Sequence, residues 1–452
     1  MARELERVLA LRELILIVVG TVIGSGIFIV PATTLQQTGG LIGPALLVWA
    51  IAGVLSLLGA LTYGELGAMN PEAGGLYVYI RDAFGRLPAF LYGWTLFFVI
   101  GSGSVATLAV AASSYLGELL PLTPPLARVV AILTIAVVAV VNVKGTDDGA
   151  AVQDWTTLLK AGAIVVMSAI LIAAGTGFVR GDVPVWPERV TGSLLSGIGL
   201  AMIGVLWAYE GWQYVTFSAG EALDPQRTFP RGIIIGTGAL IAIYLLANVA
   251  YVAALGPTAA AGSERIAADA VGALLGPLAG KLIAAMIVLS MIGAANGITL
   301  TAPRVFYAMA RDGLFFRRLA EVHPRFGTPA FAIIAGSLWA MVLAATGTFE
   351  QLLTYVVFAG WIFYALGALS IFAYRRRQPD ASRPFRVPGY PITPILFVAS
   401  AAAIVVNTLL TQPARAAVGL GVVLAGAPFF FLWRARAART EAAGATAAAQ
   451  AE

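Results

Sequence analysis

Cysteine is absent from this chain of 452 residues, and histidine occurs only once, as His323. Without thiols the chain forms no disulfide and offers no thiolate metal ligand or cysteine nucleophile. A single histidine in a charged loop also excludes a histidine metal cluster. Charged residues make up 11% of the chain, against about 25% in a typical soluble domain. Because no nucleotide-binding loop and no catalytic cluster is recognisable, we predict that the protein is not an enzyme and needs no cofactor.

Long apolar stretches dominate the chain instead. Hydrophobic residues make up 59% of it, and no charged residue lies between Glu13 and Glu65. A membrane-spanning helix needs roughly 20 apolar residues, so this interval alone is long enough for two spans. The pattern predicts an all-α integral membrane protein with twelve spans, near residues 13–36, 43–68, 88–117, 126–144, 156–176, 194–220, 233–255, 271–301, 328–346, 352–374, 391–411 and 415–434.

Lysine and arginine are distributed unevenly between the predicted loops. Most of them fall on the side of the N-terminus when the spans are threaded in order. Since cytoplasmic loops carry an excess of Lys and Arg, we predict a protein of the cell's inner membrane with both termini in the cytoplasm. Residues 1–12 then form a cytoplasmic N-terminus, and residues 435–452 a disordered cytoplasmic tail. The net charge of +5 follows from this bias and does not indicate nucleic acid as a partner.

The first span contains a weak point in the middle of its apolar run. Gly24, Ser25 and Gly26 occur together there, and Pro31 follows. In hydrocarbon every backbone N–H and C=O needs a partner, so an opened helix is tolerated where the freed backbone lines a cavity and binds a ligand. A packing seam of small residues is the alternative, but such seams favour a GxxxG spacing that this segment lacks. The segment therefore predicts a small-molecule site at mid-membrane.

A second weak point lies in the sixth span, where Glu210 and Gly211 interrupt an apolar run. The two interrupted spans are five spans apart, which is the pattern of an inverted-repeat transporter. The predicted parts are a transport core at 13–374, with repeat one at 13–176 and repeat two at 194–374, and two accessory helices at 391–434.

The broken helices also predict the chemistry of the ligand. Each break exposes N–H groups at the start of one half-helix and C=O groups at the end of the other. The N–H groups suit an anion, and the C=O groups suit a cation. A zwitterion carries both charges a few ångströms apart, so an α-amino acid is the natural ligand of this geometry.

Six short segments and one arginine carry a family resemblance. They are 20–28 (GTVIGSGIF), 64–66 (GEL), 71–77 (PEAGGLY), 208–212 (AYEGW), 221–225 (EALDP), 295–297 (ANG) and Arg304. Together they resemble the amino acid–polyamine–organocation superfamily, specifically its L-type amino acid transporter-like permeases, over roughly residues 12–435. The resemblance implies a LeuT-type fold of five plus five inverted helices with two extra spans, in which helices 1 and 6 are discontinuous. It also implies sodium-independent uptake or exchange of amino acids.

The resemblance further implies roles for individual residues at the two breaks. The predicted substrate-binding residues are Val22, Ile23, Gly24, Ser25, Gly26, Ile27, Trp207, Ala208, Glu210 and Gly211. The N–H groups after the first break bind the substrate carboxylate, and they belong to Ser25, Gly26 and Ile27. The carbonyl groups before each break meet its amino group, and they belong to Val22, Ile23, Trp207 and Ala208. The Trp207 ring gates the site from outside, and the alternative is that the aromatic residues here belong to the core.

Lys160 is predicted to lie inside the fifth span, where a charged side chain costs about 2.5–3.5 kcal/mol on insertion scales. One alternative is that it snorkels back toward Asp154 and the membrane surface. The resemblance instead implies that its ammonium group replaces a sodium ion and bridges the first, fifth and eighth spans. Tyr209 and Asn296 are predicted to support the site, while Asn296 equally suits a hydrogen bond between helices.

Glu210 departs from the family pattern, in which glycine is common at this place in animal members. Three roles are open for a carboxyl group buried in the sixth span. It accepts hydrogen bonds from loose N–H groups at the break, carries a proton, or pairs with a cationic substrate. The remaining pocket is apolar and aromatic, which favours neutral amino acids.

We therefore predict a sodium-independent permease that exchanges neutral L-amino acids by alternating access. The alternatives are a proton-coupled symporter that also accepts cationic substrates and, outside transport, a membrane receptor for amino acids. The predicted partners are free amino acids and the lipid bilayer, and the protein is expected to be a monomer. Animal relatives are joined to a single-span glycoprotein by a disulfide, which a chain without cysteine cannot form. Seven charged residues are predicted to form cytoplasmic loop and gate ion pairs with partners that the sequence does not assign: Glu65, Arg81, Asp82, Glu221, Asp224, Arg227 and Arg304.

Overall fold

The computed structural model describes residues 7–117, 119–177 and 184–449, and the regular elements among them are all helices. Helices are expected here because they satisfy their own backbone in hydrocarbon. Three short segments are not α-helical: Leu96–Ile100 is a π-helix, and Trp212–Glu221 and Arg317–Ala320 are 3-10 helices. The α-helices, in chain order, are α1 (Leu11–Val22), α2 (Gly26–Gln37), α3 (Ile42–Met69), α4 (Leu76–Phe84), α5 (Arg86–Thr95), α6 (Gly101–Gly117), α7 (Pro124–Lys144), α8 (Thr146–Ala174), α9 (Gly192–Ala208), α10 (Pro225–Leu255), α11 (Pro257–Ala261), α12 (Ile266–Leu275), α13 (Pro277–Thr301), α14 (Pro303–Arg311), α15 (Ala330–Thr346), α16 (Phe349–Arg377), α17 (Ile392–Thr411) and α18 (Pro413–Ala449).

Ten helical stretches among the described residues are long and apolar enough to cross a membrane, and the bent pair of α1 and α2 makes an eleventh. α15 is also apolar but has only 17 residues. Each predicted span overlaps one of these helices, so the all-α membrane architecture is confirmed, while the count of twelve stays a prediction. The predicted start of the eighth span at residue 271 is wrong. Gly276, at φ +88°, separates α12 from α13, which begins with Pro277.

The C-terminal end is helical where the sequence predicts disorder. α18 runs from Pro413 to Ala449, so the predicted disordered tail is helix as far as Ala449. This segment is rich in alanine, the residue with the highest intrinsic helix propensity. Residues 1–6 of the predicted N-terminal segment and residues 450–452 lie outside the described residues.

α1 lies at the centre of the helix bundle. It packs against α8, α10 and α13, and the 3-10 helix that follows α9 packs on it as well. α2 packs mainly against α9, so each half of the first predicted span contacts one half of the sixth. α17 and α18 lie outside this centre, against α3, α5 and α16. α7 exposes Leu133, Val137 and Val140, an apolar surface that suits contact with lipid.

Candidate functional site

The first predicted span is interrupted where its glycines stand. α1 ends at Val22, α2 begins at Gly26, and the two axes differ by 48°. Ile23, which caps α1, has ψ 89°, far from the helical value of about −42°. Pro31 lies within α2, so the break comes before it. The last C=O groups of α1 and the first N–H groups of α2 therefore have no partner along their own helix.

The sixth predicted span is interrupted in a different way. α9 ends at Ala208, and after Gly211 the chain continues as the 3-10 helix Trp212–Glu221. Gly211 has φ +128°, a backbone conformation that residues with a side chain rarely adopt. Its N–H group donates to Oε1 of Gln213 at 3.2 Å. Glycine is therefore favoured at this place. The Gln213 side chain is the acceptor for an N–H group that a backbone carbonyl would accept in a continuous helix.

The two breaks are in direct contact. The Thr21 hydroxyl donates to the carbonyl oxygen of Gly211 at 3.0 Å. Gly26 lies so close to Ala208 that a Cβ atom on Gly26 would overlap the Ala208 backbone. The start of α2 therefore lies against the end of α9. Because α2 starts with the positive end of its dipole and α9 finishes with the negative end, opposite partial charges meet at this contact.

We expect the substitution Gly26→Ala to destabilise the protein, because the added methyl group has no room beside Ala208. Overpacking of this kind costs about 1–3 kcal/mol. Gly162→Ala is the matched control, since residue 162 is in helix α8 and nothing lies within 4 Å of the position of its Cβ. The control is expected to be neutral or slightly stabilising. Thermal unfolding in detergent measures both variants, and equal unfolding midpoints would contradict the contact.

A small buried cavity lies between the two breaks. The volume that the centre of a water molecule can occupy in this cavity is about 20 Å³. This is room for about one water molecule. Among its lining hydroxyl groups, that of Ser25 is buried and forms no hydrogen bond with a described residue, while those of Ser104 and Tyr214 lie close to each other. Buried polar groups are nearly always paired, so an unpaired hydroxyl group at a cavity indicates a polar ligand or ordered water.

The cavity brings together most of the residues that the sequence predicts for substrate binding. Six of them line it: Val22, Gly24, Ser25, Gly26, Trp207 and Glu210. The others lie at the breaks but are not part of its wall: Ile23, Ile27, Ala208 and Gly211. The sequence reasoning misses five lining residues, which come mainly from α1, α6 and α13: Thr21, Ser104, Leu108, Tyr214 and Ile298.

The carbonyl group of Ile23, which is predicted to meet the substrate amino group, forms hydrogen bonds within the protein. Its carbonyl oxygen accepts from Nζ of Lys160 at 2.7 Å and from the Ser290 hydroxyl at 3.1 Å. A carbonyl oxygen has two lone pairs, and both are used in this conformation, while the contact of Ile23 with a substrate amino group stays a prediction. The Val22 carbonyl is also engaged, because it accepts from the Tyr244 hydroxyl at 3.0 Å.

Lys160 of α8 is buried beside the end of α1, with an exposed fraction of 3%. Its ammonium group donates to the carbonyl oxygens of Gly20 at 2.6 Å, Ile23 at 2.7 Å and Ser290 at 3.3 Å. Since Ser290 belongs to α13, one side chain joins α8 to both α1 and α13. The alternative that Lys160 snorkels toward Asp154 does not hold, because its donors are directed at these buried carbonyl groups.

Asn296, predicted to support the site, connects helices instead. Its Oδ1 accepts from Nδ2 of Asn142 on α7 at 2.8 Å. Its own Nδ2 donates to the Gly149 carbonyl at 3.1 Å and to Oε1 of Gln153 at 3.3 Å, both on α8. No bond between Asn296 and Lys160 occurs among the described residues, so the alternative of a hydrogen bond between helices is the one observed.

Tyr209, the other predicted supporting residue, belongs to an aromatic cluster. Its ring centroid lies 5.9 Å from that of Trp49 and 5.1 Å from that of Tyr244. Tyr209 does not line the cavity. It therefore fixes the position of the second break by packing against α3 and α10, and the contact with Tyr244 links it to the Val22 carbonyl.

Glu210 follows the end of α9 and is held by two side chains. Its Oε1 accepts from Nε2 of Gln213 at 2.7 Å and from the Tyr364 hydroxyl. Gln213 also donates to that hydroxyl at 2.8 Å. Neither partner is identified by the sequence reasoning. The Gly211 N–H group is received by Gln213, and the three roles of Glu210 stay predictions.

The sequence as a whole matches a known family. A family model described as amino acid permease covers residues 9–429. The chain belongs to this family. It is 32% identical to the b(0,+)-type amino acid transporter 1 of Mus musculus over 95% of this chain and 88% of that protein. It is 31% identical to the serine/threonine exchanger SteT of Bacillus subtilis (strain 168) over 93% of this chain and 95% of that protein. It is also 31% identical to the human cystine/glutamate transporter, over 95% and 86% of the two chains.

One ion pair of this permease is completely buried. Arg304 of α14 donates to both carboxylate oxygens of Glu221, at 2.8 and 2.9 Å, and the two side chains are 1% and 2% exposed. The Glu221 carbonyl accepts the N–H groups of Val8 and Leu9, both at 2.9 Å. Leu9 in turn accepts from the N–H of Leu223 at 2.9 Å. A single residue therefore joins the N-terminal segment, the end of the sixth span and α14.

Further ion pairs involve helices α3, α4 and α16 of the permease. Glu65 accepts from Arg375 of α16 at 2.6 and 2.8 Å. Arg81 of α4 donates to Asp82 at 2.8 Å and to Asp312 at 3.0 Å. The predicted pairing of these charges is thereby observed for Glu65, Arg81 and Asp82. For Asp224 and Arg227 no ion pair is found within the described part of the chain.

Proposed function

We propose that this permease is a sodium-independent exchanger of neutral L-amino acids that works by alternating access. The observation that carries the proposal is the contact between the two breaks, which brings the start of α2 and the end of α9 to one buried cavity. These helix ends offer N–H groups to a carboxylate and carbonyl groups to an ammonium ion. Relatives named as a serine/threonine exchanger and a cystine/glutamate transporter support amino acids as the substrate class.

The substrate carboxylate binds at the start of α2 in this proposal. The N–H groups of Gly26 and Ile27 belong to the first turn of α2, where a helix supplies no acceptor of its own. The Ser25 hydroxyl is buried and unpaired at the same place. Gly24 and Gly26 also line the cavity, and Leu108 and Ala208 fill the places where their side chains would lie. We therefore assign the binding of the substrate carboxylate to Ser25, Gly26 and Ile27.

Lys160 supports independence from sodium. Its ammonium group is surrounded by the carbonyl oxygens of Gly20, Ile23 and Ser290. Oxygen ligands of this kind are also those that hard metal cations prefer. We assign to the ammonium the place of a bound sodium ion, so that no external cation is needed to hold α1 against α8 and α13.

The lining and the size of the cavity support the proposal that the substrates are small and neutral and that they enter after a conformational change. Its apolar wall consists of Val22, Leu108, Trp207 and Ile298, and Glu210 is its one carboxyl group. Room for about one water molecule is too little for an amino acid, so this conformation corresponds to a shut site. In the proposed cycle Trp207, which is 6% exposed, is the gate that moves.

The remaining parts of the proposal concern topology and assembly. The excess of basic residues on the side of the N-terminus supports an inner-membrane protein with both termini in the cytoplasm. The transport core is residues 13–374, with repeats at 13–176 and 194–374, and α17 and α18 are accessory helices. The chain acts as a monomer and forms no disulfide with a partner, since it has no cysteine.

Counterflow in proteoliposomes tests this function. Purified protein is reconstituted into liposomes that are either empty or preloaded with an unlabelled amino acid, using alanine, serine, leucine and lysine in turn. We expect labelled alanine or serine to enter several-fold faster into the liposomes preloaded with the same amino acid. The rate is expected to be equal in sodium-containing and sodium-free buffer, because Lys160 supplies the cation.

Different outcomes of this experiment identify the rival functions. Uptake that depends on an inward proton gradient, and not on internal amino acid, would contradict exchange and favour proton-coupled symport, with Glu210 as the carrier. Binding of amino acids without any uptake would favour a receptor. Protein-free liposomes serve as the control for leakage.

A further inference from the structure

Two exposed arginines occupy neighbouring positions at one end of the last membrane helix. Arg434 follows Trp433 at the end of the apolar stretch of α18, and Arg317 follows Phe316 in the segment after α14. The Trp433 ring contacts Phe315 and Phe316, with centroids 5.4 and 5.3 Å apart. Because the rings that precede the two arginines touch, residues far apart in the sequence form one basic surface.

This surface lacks a neutralising carboxylate within the protein. No ion pair of Arg317 or Arg434 occurs among the described residues. Two carboxylates belong to the segment between α14 and α15. Asp312 pairs with Arg81 at 3.0 Å, and Glu321, four residues after Arg317, forms no ion pair in the described part of the chain. The two guanidinium groups are therefore available to an anion from outside the protein.

Exposed apolar side chains adjoin the arginines. Phe316 is 58% exposed, and Phe431 and Leu432, just before Arg434, are 56% and 57% exposed. Phe431 and Leu432 belong to a helix that is long and apolar enough to cross a membrane. Tryptophan, here Trp433, is enriched where a span meets the membrane surface. The surface therefore combines positive charge with apolar rings at the end of a span.

The combination of charge and apolar area identifies the chemistry of the partner. A guanidinium group binds phosphate oxygens through paired N–H groups. A nucleic acid or an acidic soluble protein offers anions, but it leaves the apolar side chains beside the arginines uncovered. A phospholipid offers a phosphate group and acyl chains together. A headgroup with its own ammonium would place a cation beside the two arginines, so a lipid with net negative charge fits best.

We propose that Arg317 and Arg434 bind the phosphate group of an anionic phospholipid, with its acyl chains against Phe431 and Leu432. The bound lipid joins the segment after α14 to the end of α18. This inference goes beyond the proposed function, because it concerns a surface outside the cavity between the breaks. It agrees with the proposed topology, which places both arginines on the cytoplasmic side, where anionic lipids attract basic segments.

Lipid binding to the purified protein in detergent tests this surface. Phosphatidylglycerol and phosphatidylcholine with the same acyl chains are titrated, and the apparent Kd is measured from the rise in the thermal unfolding midpoint. In the double variant Arg317→Gln with Arg434→Gln, we expect the Kd of phosphatidylglycerol to rise about 10- to 100-fold, because charged hydrogen bonds are lost. The Kd of phosphatidylcholine should stay nearly constant. Without added lipid the midpoint should not change, since both side chains are exposed.

A second double variant controls for the loss of charge alone. Arg227→Gln with Arg231→Gln removes two exposed arginines from the same predicted side of the membrane, and no exposed aromatic residue is adjacent to either in the sequence. This variant should bind phosphatidylglycerol like the unmodified protein. An equal loss of affinity in both double variants would show general attraction to negative charge and would overturn the proposal.

The remaining outcomes distinguish other partners. Equal affinity of the unmodified protein for the two lipids would overturn the proposal. Inorganic phosphate that raises the midpoint as much as phosphatidylglycerol does would also overturn it, because the acyl chains would then contribute nothing. Stronger protection by poly-L-glutamate than by phosphatidylglycerol would instead favour an acidic protein partner. If the double variant does not fold, Arg317→Gln and Arg434→Gln are measured singly, and each should weaken the binding of phosphatidylglycerol.

Discussion

Replacement of Lys160 by methionine is expected to abolish amino acid exchange in proteoliposomes. The ammonium group is the shared donor to the carbonyl oxygens of Gly20, Ile23 and Ser290. Ile23 keeps its bond from the Ser290 hydroxyl, but the other two carbonyl groups lose this donor. Each buried acceptor without a donor costs about 1–3 kcal/mol, so a fall in the exchange rate of about 100-fold or more is expected. The end of α1 then loses its link to α8 and α13, next to the proposed carboxylate site.

Lys281→Met is the matched control for this substitution. Lys281 is also a lysine in a membrane helix, but it lies on the exposed surface of α13, so its replacement should leave exchange unchanged. Exchange is measured with and without sodium, because partial recovery of the Lys160→Met variant in sodium would support the idea that the ammonium replaces this ion. Full activity of Lys160→Met without sodium would contradict the proposed role.

The positions of the two breaks could be predicted because their causes are local. Three residues, Gly24, Ser25 and Gly26, weaken the first span, and Gly211 at positive φ weakens the sixth. The buried charge of Lys160 could also be located, since a lysine in an apolar run is unusual in itself. In each case the signal lies within a few residues of the feature.

The partners of these groups could not be predicted, because they come from distant helices. Tyr364 on α16 and Tyr244 on α10 reach the site through the packing of the whole bundle. Nothing in their local sequence distinguishes them from the other tyrosines of an aromatic-rich chain. The donors to the Ile23 carbonyl could not be predicted for the same reason, since Lys160 and Ser290 reach it from distant helices.

The Glu221–Arg304 pair is expected to give the largest change in stability. Both side chains are almost fully buried, so Arg304→Met leaves the Glu221 carboxylate inside the protein without a cation. Removal of one partner from a buried pair costs about 3–5 kcal/mol. We therefore expect a large decrease in the thermal unfolding midpoint in detergent, accompanied by loss of exchange. Arg318→Met, at an exposed arginine in the 3-10 helix after α14, is the control and should stay within about 0.5 kcal/mol of the unmodified protein.

A double variant separates the stability of this pair from its role in the transport cycle. In Arg304→Met with Glu221→Leu no charge is left unpaired, so most of the lost stability should return, because apolar replacements of buried pairs are often neutral or stabilising. The loss in free energy of unfolding should be much smaller for the double variant than the sum of the losses for Arg304→Met and Glu221→Leu. The difference measures the coupling between the two partners. If the ion pair holds the N-terminal segment and the end of the sixth span together as a gate, the double variant will be stable and still exchange slowly. The contacts of Val8 and Leu9 with the Glu221 carbonyl involve only the backbone, so they remain in place in this variant. Normal exchange by a stable double variant would therefore restrict the ion pair to a structural role.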